Sequence, residues 1–137
     1  MKQYFIILCV FVSSLTFSQN VITDSNTYSA QELIEDILID SNCITDVVVT
    51  NAVGGNFNGP DKSYGYFNAN GSSFPFQEGI VLSTGRLINV QGPNTSLSDD
   101  DANGWGGDED LEYALNESNT INATILEFNF RAVADQI

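Results

Sequence analysis

The clearest secondary-structure signal in the chain is the segment Thr120–Arg131, TINATILEFNFR, in which apolar and polar residues largely alternate. Such alternation is typical of a β-strand, because successive side chains point to opposite faces of a sheet. One face carries Leu126, Phe128 and Phe130, and the other carries Ile121, Ala123, Ile125, Glu127 and Asn129. The pattern predicts a long strand whose aromatic face packs on the core.

Shorter segments of β character precede this strand and are separated by turn signals. Ile44–Thr50 is rich in Val and Thr, Tyr64–Ala69 is aromatic, and Gly79–Ser83 is apolar and β-branched. Leu87–Val90 reads as a continuation of Gly79–Ser83 past a bulge or turn. Several short strands joined by Gly- and Asn-rich turns favour a mainly β fold of the β-sandwich or jelly-roll-like kind.

Two helices interrupt the β pattern. Ser29 and Glu32 have the S-x-x-E spacing of a capping box, which starts a helix. That helix is amphipathic and is expected to end near residues 41 and 42. Its apolar stripe consists of Leu33, Ile34, Ile37 and Leu38. A second, short helix is predicted over Asp110–Leu115.

The N-terminus has the features of a secretory signal peptide. Lys2 precedes an apolar run over Tyr4–Val12, and the small residue Ser18 follows. The run is shorter than the roughly 20 apolar residues that span a bilayer. We therefore interpret residues 1–18 as a signal peptide, 19–27 as a linker and 28–137 as one β domain. The chain ends directly after a strong strand, so we expect the domain to be incomplete here, with its C-terminal part missing.

The charge balance restricts the partners of the mature chain. Loss of Lys2 leaves Lys62, Arg86 and Arg131 against 18 carboxylates. Nucleic-acid binding requires a basic footprint, and adsorption to anionic membrane requires positive charge, so neither is expected. The composition instead favours neutral or cationic ligands outside the cell.

Cys43 is the one cysteine that remains after removal of the signal peptide. A disulfide within the mature chain is therefore excluded. Two interpretations stay open: Cys43 is a small buried apolar residue, or it pairs with a cysteine outside this chain.

The acidic loop Asp99–Asp110 has the residue order of a calcium-binding loop. Asp99, Asp101 and Asn103 occupy positions 1, 3 and 5, Gly104 occupies position 6, the Trp105 carbonyl position 7, and Asp110 position 12. Ca²⁺ takes six to eight oxygen ligands, which alternating carboxylates on a Gly-bent loop supply. The alternatives are a solvated acidic loop, and an Asp108 that simply caps the short helix. Ca²⁺ is therefore the candidate cofactor beside these alternatives, and no other cofactor is expected.

Trp105 and the absence of histidine bear on ligands and catalysis. Trp105 is the one tryptophan, and it serves either as an exposed stacking platform for a sugar or as a core side chain. The chain has no His, which excludes Ser-His-Asp and Cys-His catalysis and His-ligated zinc within it. We therefore expect no enzyme activity.

Five segments together resemble the choice-of-anchor L domain, a module of secreted Bacteroidetes-type proteins. They are residues 28–38 (YSAQELIEDIL), 44–51, 74–85 (FPFQEGIVLSTG), 107–111 (GDEDL) and 123–130 (ATILEFNF). The resemblance implies an extracellular or cell-surface setting and a type IX secretion route. It supplies no catalytic residues to carry over.

These observations lead to three functional hypotheses. The first is a secreted or cell-surface, non-enzymatic binding or adhesion module for an extracellular glycan or protein ligand, with a Ca²⁺-ordered loop. The second is the N-terminal accessory part of an extracellular carbohydrate-active enzyme. The third is a structural spacer of a large surface protein.

Overall fold

The structure, a computed structural model, describes residues 21–92, 102 and 104–133, so the predicted signal peptide lies outside the described residues. Within these described residues, five strands form two antiparallel sheets, with strand orders β1-β3-β4 and β2-β5. The strands are β1 (Ile22–Asp24), β2 (Ile44–Val53), β3 (Tyr64–Asn68), β4 (Glu78–Leu82) and β5 (Ile125–Ala132). The prediction of a mainly β, sandwich-like fold is confirmed.

The predicted capping box starts the first helix. The Ser29 hydroxyl accepts a hydrogen bond from the Glu32 amide at 3.2 Å, and the Glu32 carboxylate accepts one from the Ser29 amide at 2.7 Å. The first turn, α1 (Ala30–Glu32), continues as a π-helix over Leu33–Ile39, which ends where Asp40 turns to a φ of 28°. Leu33 and Ile34 are buried, but Leu38 is 48% exposed, so the apolar stripe is narrower than predicted.

Gln31 fastens this helix to β2. Its side-chain amide donates to the Val47 carbonyl at 2.8 Å, and its side-chain carbonyl accepts from the Val49 amide at 2.9 Å. β2 is irregular at this point, because Asp46 has a φ of 53° and the register with β5 shifts between Thr45 and Val48. Gln31 thus satisfies main-chain groups of β2 that β5 does not pair.

Two sequence interpretations near β1 and β4 are wrong. The polar composition of residues 19–27 predicts a linker, but β1 lies within them and pairs with β3. A polar segment can form this strand because the pairing uses main-chain groups and needs no apolar side chains. Leu87–Gln91 is a 3₁₀ helix rather than a continued strand, and its first residue, Leu87, is buried. The segment is a short apolar run, and periodicity over so few residues does not separate a 3₁₀ turn from a strand.

Two hydroxyl side chains and one main-chain carbonyl connect the two sheets. Thr124, just before β5, lies 2.6 Å from the Ser83 carbonyl and 2.7 Å from the Ser63 hydroxyl. A threonine hydroxyl has one hydrogen, so Thr124 donates to the carbonyl and accepts from Ser63. Ser63 is fully buried and also accepts from the Gly55 amide at 3.2 Å. This network holds the end of β4 beside the start of β5.

β5 is shorter than the predicted strand, and its aromatic face is only partly covered. Residues 120–124 do not pair with β2, since the Thr120 amide and hydroxyl both donate to the Glu112 carboxylate and Asn122 has a φ of 58°. Phe130 is 54% exposed and lies against Phe128 with ring centroids 6.1 Å apart. The prediction that Phe130 packs on the core is therefore wrong.

Acid is expected to destabilise the fold through the capping box and a nearby turn. The pKa of Glu32 is lowered because its carboxylate accepts the Ser29 amide, and the pKa of Asp24 is lowered by the Thr27 hydroxyl and then the Asn26 and Thr27 amides. A carboxyl group whose pKa is lowered by folding stabilises the folded state at pH values above its ordinary pKa of about 4. This stabilisation is lost as the pH falls through the lowered pKa of the folded state.

We expect the melting temperature to be level from about pH 7 to 5 and to fall below about pH 4. Glu32→Gln should make the fall in melting temperature at acid pH smaller. Glu117→Gln is the charge-matched control, because Glu117 is an exposed carboxylate after the second helix. Thermal melts monitored by circular dichroism across this pH range would measure the melting temperatures. An identical fall at acid pH in Glu32→Gln and the wild type would contradict the stabilising role of the Glu32 carboxylate.

Candidate functional site

An open groove lies where the two sheets approach each other. Its walls are residues 82–84 at the end of β4, residues 108 and 110–111 at the start of the helix α2 (Glu109–Leu115), and residues 120–127 leading into β5. We call it the β4–β5 groove. Its volume is about 540 Å³, within the range of roughly 300–1,000 Å³ typical of ligand sites.

The floor of the groove is apolar and accessible. Leu82 and Leu111 are about half exposed, and Ile121 is 71% exposed. Ile125, the first residue of β5, lines the groove and is half-buried. Single exposed apolar residues are common on protein surfaces, but several around one concavity are characteristic of interaction sites.

The rim of the groove is acidic. Asp108, Asp110 and Glu127 line it, and none of the described lining residues is Lys or Arg. Asp108 is the N-cap of α2, where its carboxylate accepts a hydrogen bond from the Leu111 amide at 2.7 Å. Asp110 and Glu127 are exposed and are available to an approaching ligand. The predicted short helix and its Asp108 cap are both confirmed.

A close contact of Gly107 with Thr120 holds α2 against the groove. A Cβ atom at Gly107 would collide with the carbonyl and hydroxyl oxygens of Thr120. The Asp108 amide donates to the same Thr120 hydroxyl at 3.1 Å, and that hydroxyl donates to Glu112 of α2 at 2.8 Å. Glycine at position 107 therefore lets the chain bring α2 beside residues 120–127.

Two of the predicted calcium ligands fall in the described part of the chain. Asp99, Asp101 and Asn103 lie outside the described residues. Asp110 stands in the first turn of α2, and the Trp105 carbonyl accepts the Asn122 amide at 3.4 Å. The described residues contain no group of three or more acidic, His or Cys side chains placed to hold a metal. The calcium loop stays a prediction.

Trp105 is a core side chain, not an exposed platform. It is 7% exposed and clusters with Phe57 and Ala102. Its ring meets Phe57 edge-on, with centroids 5.7 Å apart, and its indole N–H donates to the Ala123 carbonyl at 2.6 Å. Of the two interpretations of Trp105, the core one is confirmed. The hydrogen bond also positions Ala123 in the wall of the groove.

The tyrosines of β3 make contacts within the chain. The Tyr66 hydroxyl donates to the Glu78 carboxylate at 2.5 Å and accepts from the Asn68 amide at 3.1 Å, and its ring packs against Tyr28. Donation from Asn68 lowers the pKa of Tyr66, but the Glu78 hydrogen bond, partial burial and the Glu78 charge together raise it. The cluster joins β3, β4 and the segment before α1.

Cys43 is exposed at the start of β2, and it is unpaired with respect to the described residues. The interpretation of a buried thiol is therefore wrong. Position 43 directly precedes the first paired residue of β2, and its neighbours Ser41 and Asn42 are exposed as well. The hypothesis of a partner cysteine outside the chain stays open.

The sequence pattern did not reveal the groove, although its residues belong to recognisable elements. Leu82 ends a predicted strand, Leu111 lies in a predicted helix, and Ile121 lies in the alternating segment. Only their meeting creates a concavity. The signal available beforehand was the alternating segment's second face, which carries Ile121 and Ile125 beside Glu127.

Comparison with known proteins places the chain in a family. Within the described residues, no helix has the length and apolar character needed to cross a bilayer. No curated protein and no solved structure matches the chain. The family model described as Choice-of-anchor L domain matches residues 20–137, which is most of the chain. The chain therefore belongs to the Choice-of-anchor L domain family, whose name marks a cell-surface or secreted-associated module.

Proposed function

We propose that the chain is a non-enzymatic binding module of a secreted or cell-surface protein, and that the β4–β5 groove is its ligand-binding surface. The observation that carries the proposal is the accessible apolar floor around Ile121 within an acidic rim. Three of the five segments that resemble the family, residues 74–85, 107–111 and 123–130, contribute walls to this groove. The ligand is an extracellular glycan or protein, and binding to it serves adhesion.

Ile121→Asp is expected to weaken ligand binding without unfolding the chain, because the side chain is exposed. Burying an isoleucine contributes about 1.5–3 kcal/mol, so its replacement by a charge should weaken binding by about tenfold or more. Glycan arrays and binding to intact cells and surface-protein extracts would measure the effect on the mature chain.

Tyr113→Asp is the matched control, since Tyr113 is 91% exposed on α2 and does not line the groove. It should bind like the wild type. Equal binding by Ile121→Asp and Tyr113→Asp would show that the groove is not the ligand-binding surface. Binding by neither the wild type nor the variants to any of these surfaces would count against a binding module and favour a spacer.

We further propose that Ca²⁺ orders the loop Asp99–Asp110. The order of Asp99, Asp101, Asn103 and Asp110 along the chain supports it, as does the exposure of the Asp110 carboxylate. An ion held by these oxygens would stiffen the connection that leads into α2 and hence one wall of the groove.

Calcium is expected to raise the melting temperature of the mature chain. A ligand that binds only the folded state adds about 2.7 kcal/mol at 100 times its dissociation constant. The shift between excess EDTA and millimolar Ca²⁺ should vanish in Asp101→Ala and persist in Asp36→Ala, a control carboxylate exposed on the π-helix. A melt that is the same in EDTA and in Ca²⁺ would assign these carboxylates to a solvated loop.

A further inference from the structure

Two turns of the chain share one sequence pattern and one local hydrogen bond. They are residues 56–59 (NFNG) and 68–71 (NANG), and each consists of an asparagine, a buried residue and an Asn-Gly pair. In both turns the side chain of the first asparagine accepts the main-chain amide of the second, at 3.1 Å and 2.8 Å respectively. The second asparagine has a positive φ in both turns, 56° at Asn58 and 49° at Asn70.

An Asn-Gly pair is chemically reactive, because glycine has no side chain to shield its main-chain nitrogen. That nitrogen can attack the Cγ atom of the asparagine. A nitrogen–carbon bond forms, and the side-chain nitrogen leaves as ammonia with the proton of the glycine amide. Water then opens the resulting succinimide ring. Opening at the side-chain carbonyl gives aspartate, and opening at the main-chain carbonyl gives isoaspartate, so a neutral residue becomes a carboxylate.

Solvent reaches both Asn-Gly pairs equally. Asn58, Gly59, Asn70 and Gly71 are all exposed, and a Cβ atom on either glycine would meet nothing within 4 Å. No neighbouring group therefore shields either glycine nitrogen. The third Asn-Gly pair of the chain has its asparagine, Asn103, outside the described residues.

A main-chain hydrogen bond locks the turn at Asn70. The Ser72 amide donates to the Ala69 carbonyl at 2.8 Å. The two residues between them, Asn70 and Gly71, have φ values of 49° and 69°. Two positive φ values closed by this bond define a type I′ turn. In such a turn the Gly71 nitrogen lies on the opposite side of the Asn70 main chain from Cβ, so ring closure must first break the hydrogen bond.

The turn at Asn58 cannot be closed in this way. The residue three positions after Phe57 is Pro60, which has no N–H to donate to the Phe57 carbonyl. Gly59 also lacks the positive φ that a type I′ turn requires. Rotation of the main chain at Asn58 therefore breaks no hydrogen bond of the kind that holds Asn70.

We propose that Asn58 is a site of spontaneous modification, converted to aspartate and isoaspartate through a succinimide formed with Gly59. In the folded protein the type I′ turn protects Asn70 from the same reaction. This inference goes beyond the proposed binding function and does not depend on it. The isoaspartate product adds one carbon to the main chain directly after Phe57, which packs against Trp105 in the core.

Peptide mapping by mass spectrometry, after incubation of the folded protein at neutral pH, measures the reaction at each site. Trypsin cleaves after Lys62 and Arg86, so Asn58 and Asn70 fall in different peptides. Asn58 should react roughly threefold to tenfold faster than Asn70, the factor that corresponds to one main-chain hydrogen bond. In concentrated urea, where neither turn is formed, the two rates should become similar.

The chain contains its own controls for the role of glycine. Three further asparagines have a positive φ between 53° and 62° but precede a residue with a side chain. They are Asn116, Asn119 and Asn122, followed by Glu, Thr and Ala. All three should stay unmodified while Asn58 reacts, and fragmentation of the peptides locates the modified residue.

Two variants exchange the features of the two turns. Ser72→Pro removes the donor of the type I′ turn and should raise the rate at Asn70 by roughly threefold to tenfold, without changing Asn58. Gly59→Ala places a methyl group beside the attacking nitrogen, in open space, and should suppress modification at Asn58 alone. Circular dichroism melts check that both variants fold, and the wild-type comparison between buffer and urea needs neither variant.

The possible outcomes separate the site from its protection. Equal rates at Asn58 and Asn70 in the folded protein would overturn the protective role of the turn. An Asn58 that reacts in urea but not in the folded protein would overturn the site. Modification of Asn116, Asn119 and Asn122 at the rate of Asn58 would show that the Asn-Gly pair is not what reacts.

Discussion

Trp105→Ala is expected to lower the free energy of unfolding by about 3–5 kcal/mol, the usual range for removing a large buried aromatic side chain. The ring is 7% exposed, packs edge-on against Phe57, and donates its indole N–H to the Ala123 carbonyl at 2.6 Å. Alanine leaves a cavity beside Phe57 and an unpaired carbonyl in the wall of the groove. Urea unfolding of the protein, followed by circular dichroism, would measure the loss.

Two further variants divide this effect into its parts. Trp105→Phe keeps most of the packing and removes the hydrogen bond, so it should cost about 1–3 kcal/mol. Tyr113→Ala, at a side chain that is 91% exposed, should change stability by less than about 0.5 kcal/mol. A Trp105→Ala protein as stable as Tyr113→Ala would mean that the tryptophan is not part of the core.

Gly65→Ala is expected to destabilise the three-stranded sheet by about 3 kcal/mol or more, at the upper end of the cost of overpacking. Gly65 lies in the central strand β3, between β1 and β4. A Cβ atom there would collide with the Asp24 carbonyl of β1 and would approach the buried Leu87 side chain to 2.7 Å. Neither neighbour can withdraw freely, since one is main chain and the other is packed in the core.

Gly59→Ala is the matched control for this substitution. A Cβ atom at Gly59 would meet nothing within 4 Å, so the change should be neutral or should stabilise the chain by about 0.4–1 kcal/mol through the unfolded state. Parallel urea melts of the two variants would compare them directly. A Gly65→Ala protein as stable as Gly59→Ala would show that β1 does not pack on β3 in solution.

The chain's own sequence determined the features that depend on neighbouring residues. The capping box of Ser29 and Glu32 is made by groups three residues apart, and Asp108 caps α2 by the same local geometry. The mainly β class followed from short segments of β-branched and aromatic residues between turns. Family membership was legible because it resides in ordered local motifs along the chain.

The tertiary structure alone decided the features that depend on distant partners. Gln31 reads as an ordinary helix residue until β2 lies beside it, and the polar segment at β1 becomes a strand only because β3 offers hydrogen bonds. The sequence around Trp105 fits a core position and a surface position equally well. In the structure Trp105 lies in the core, because its ring packs against Phe57 and its indole N–H donates to the Ala123 carbonyl. The groove arises the same way, because Thr124 joins β4 to β5 across residues that sequence spacing does not connect.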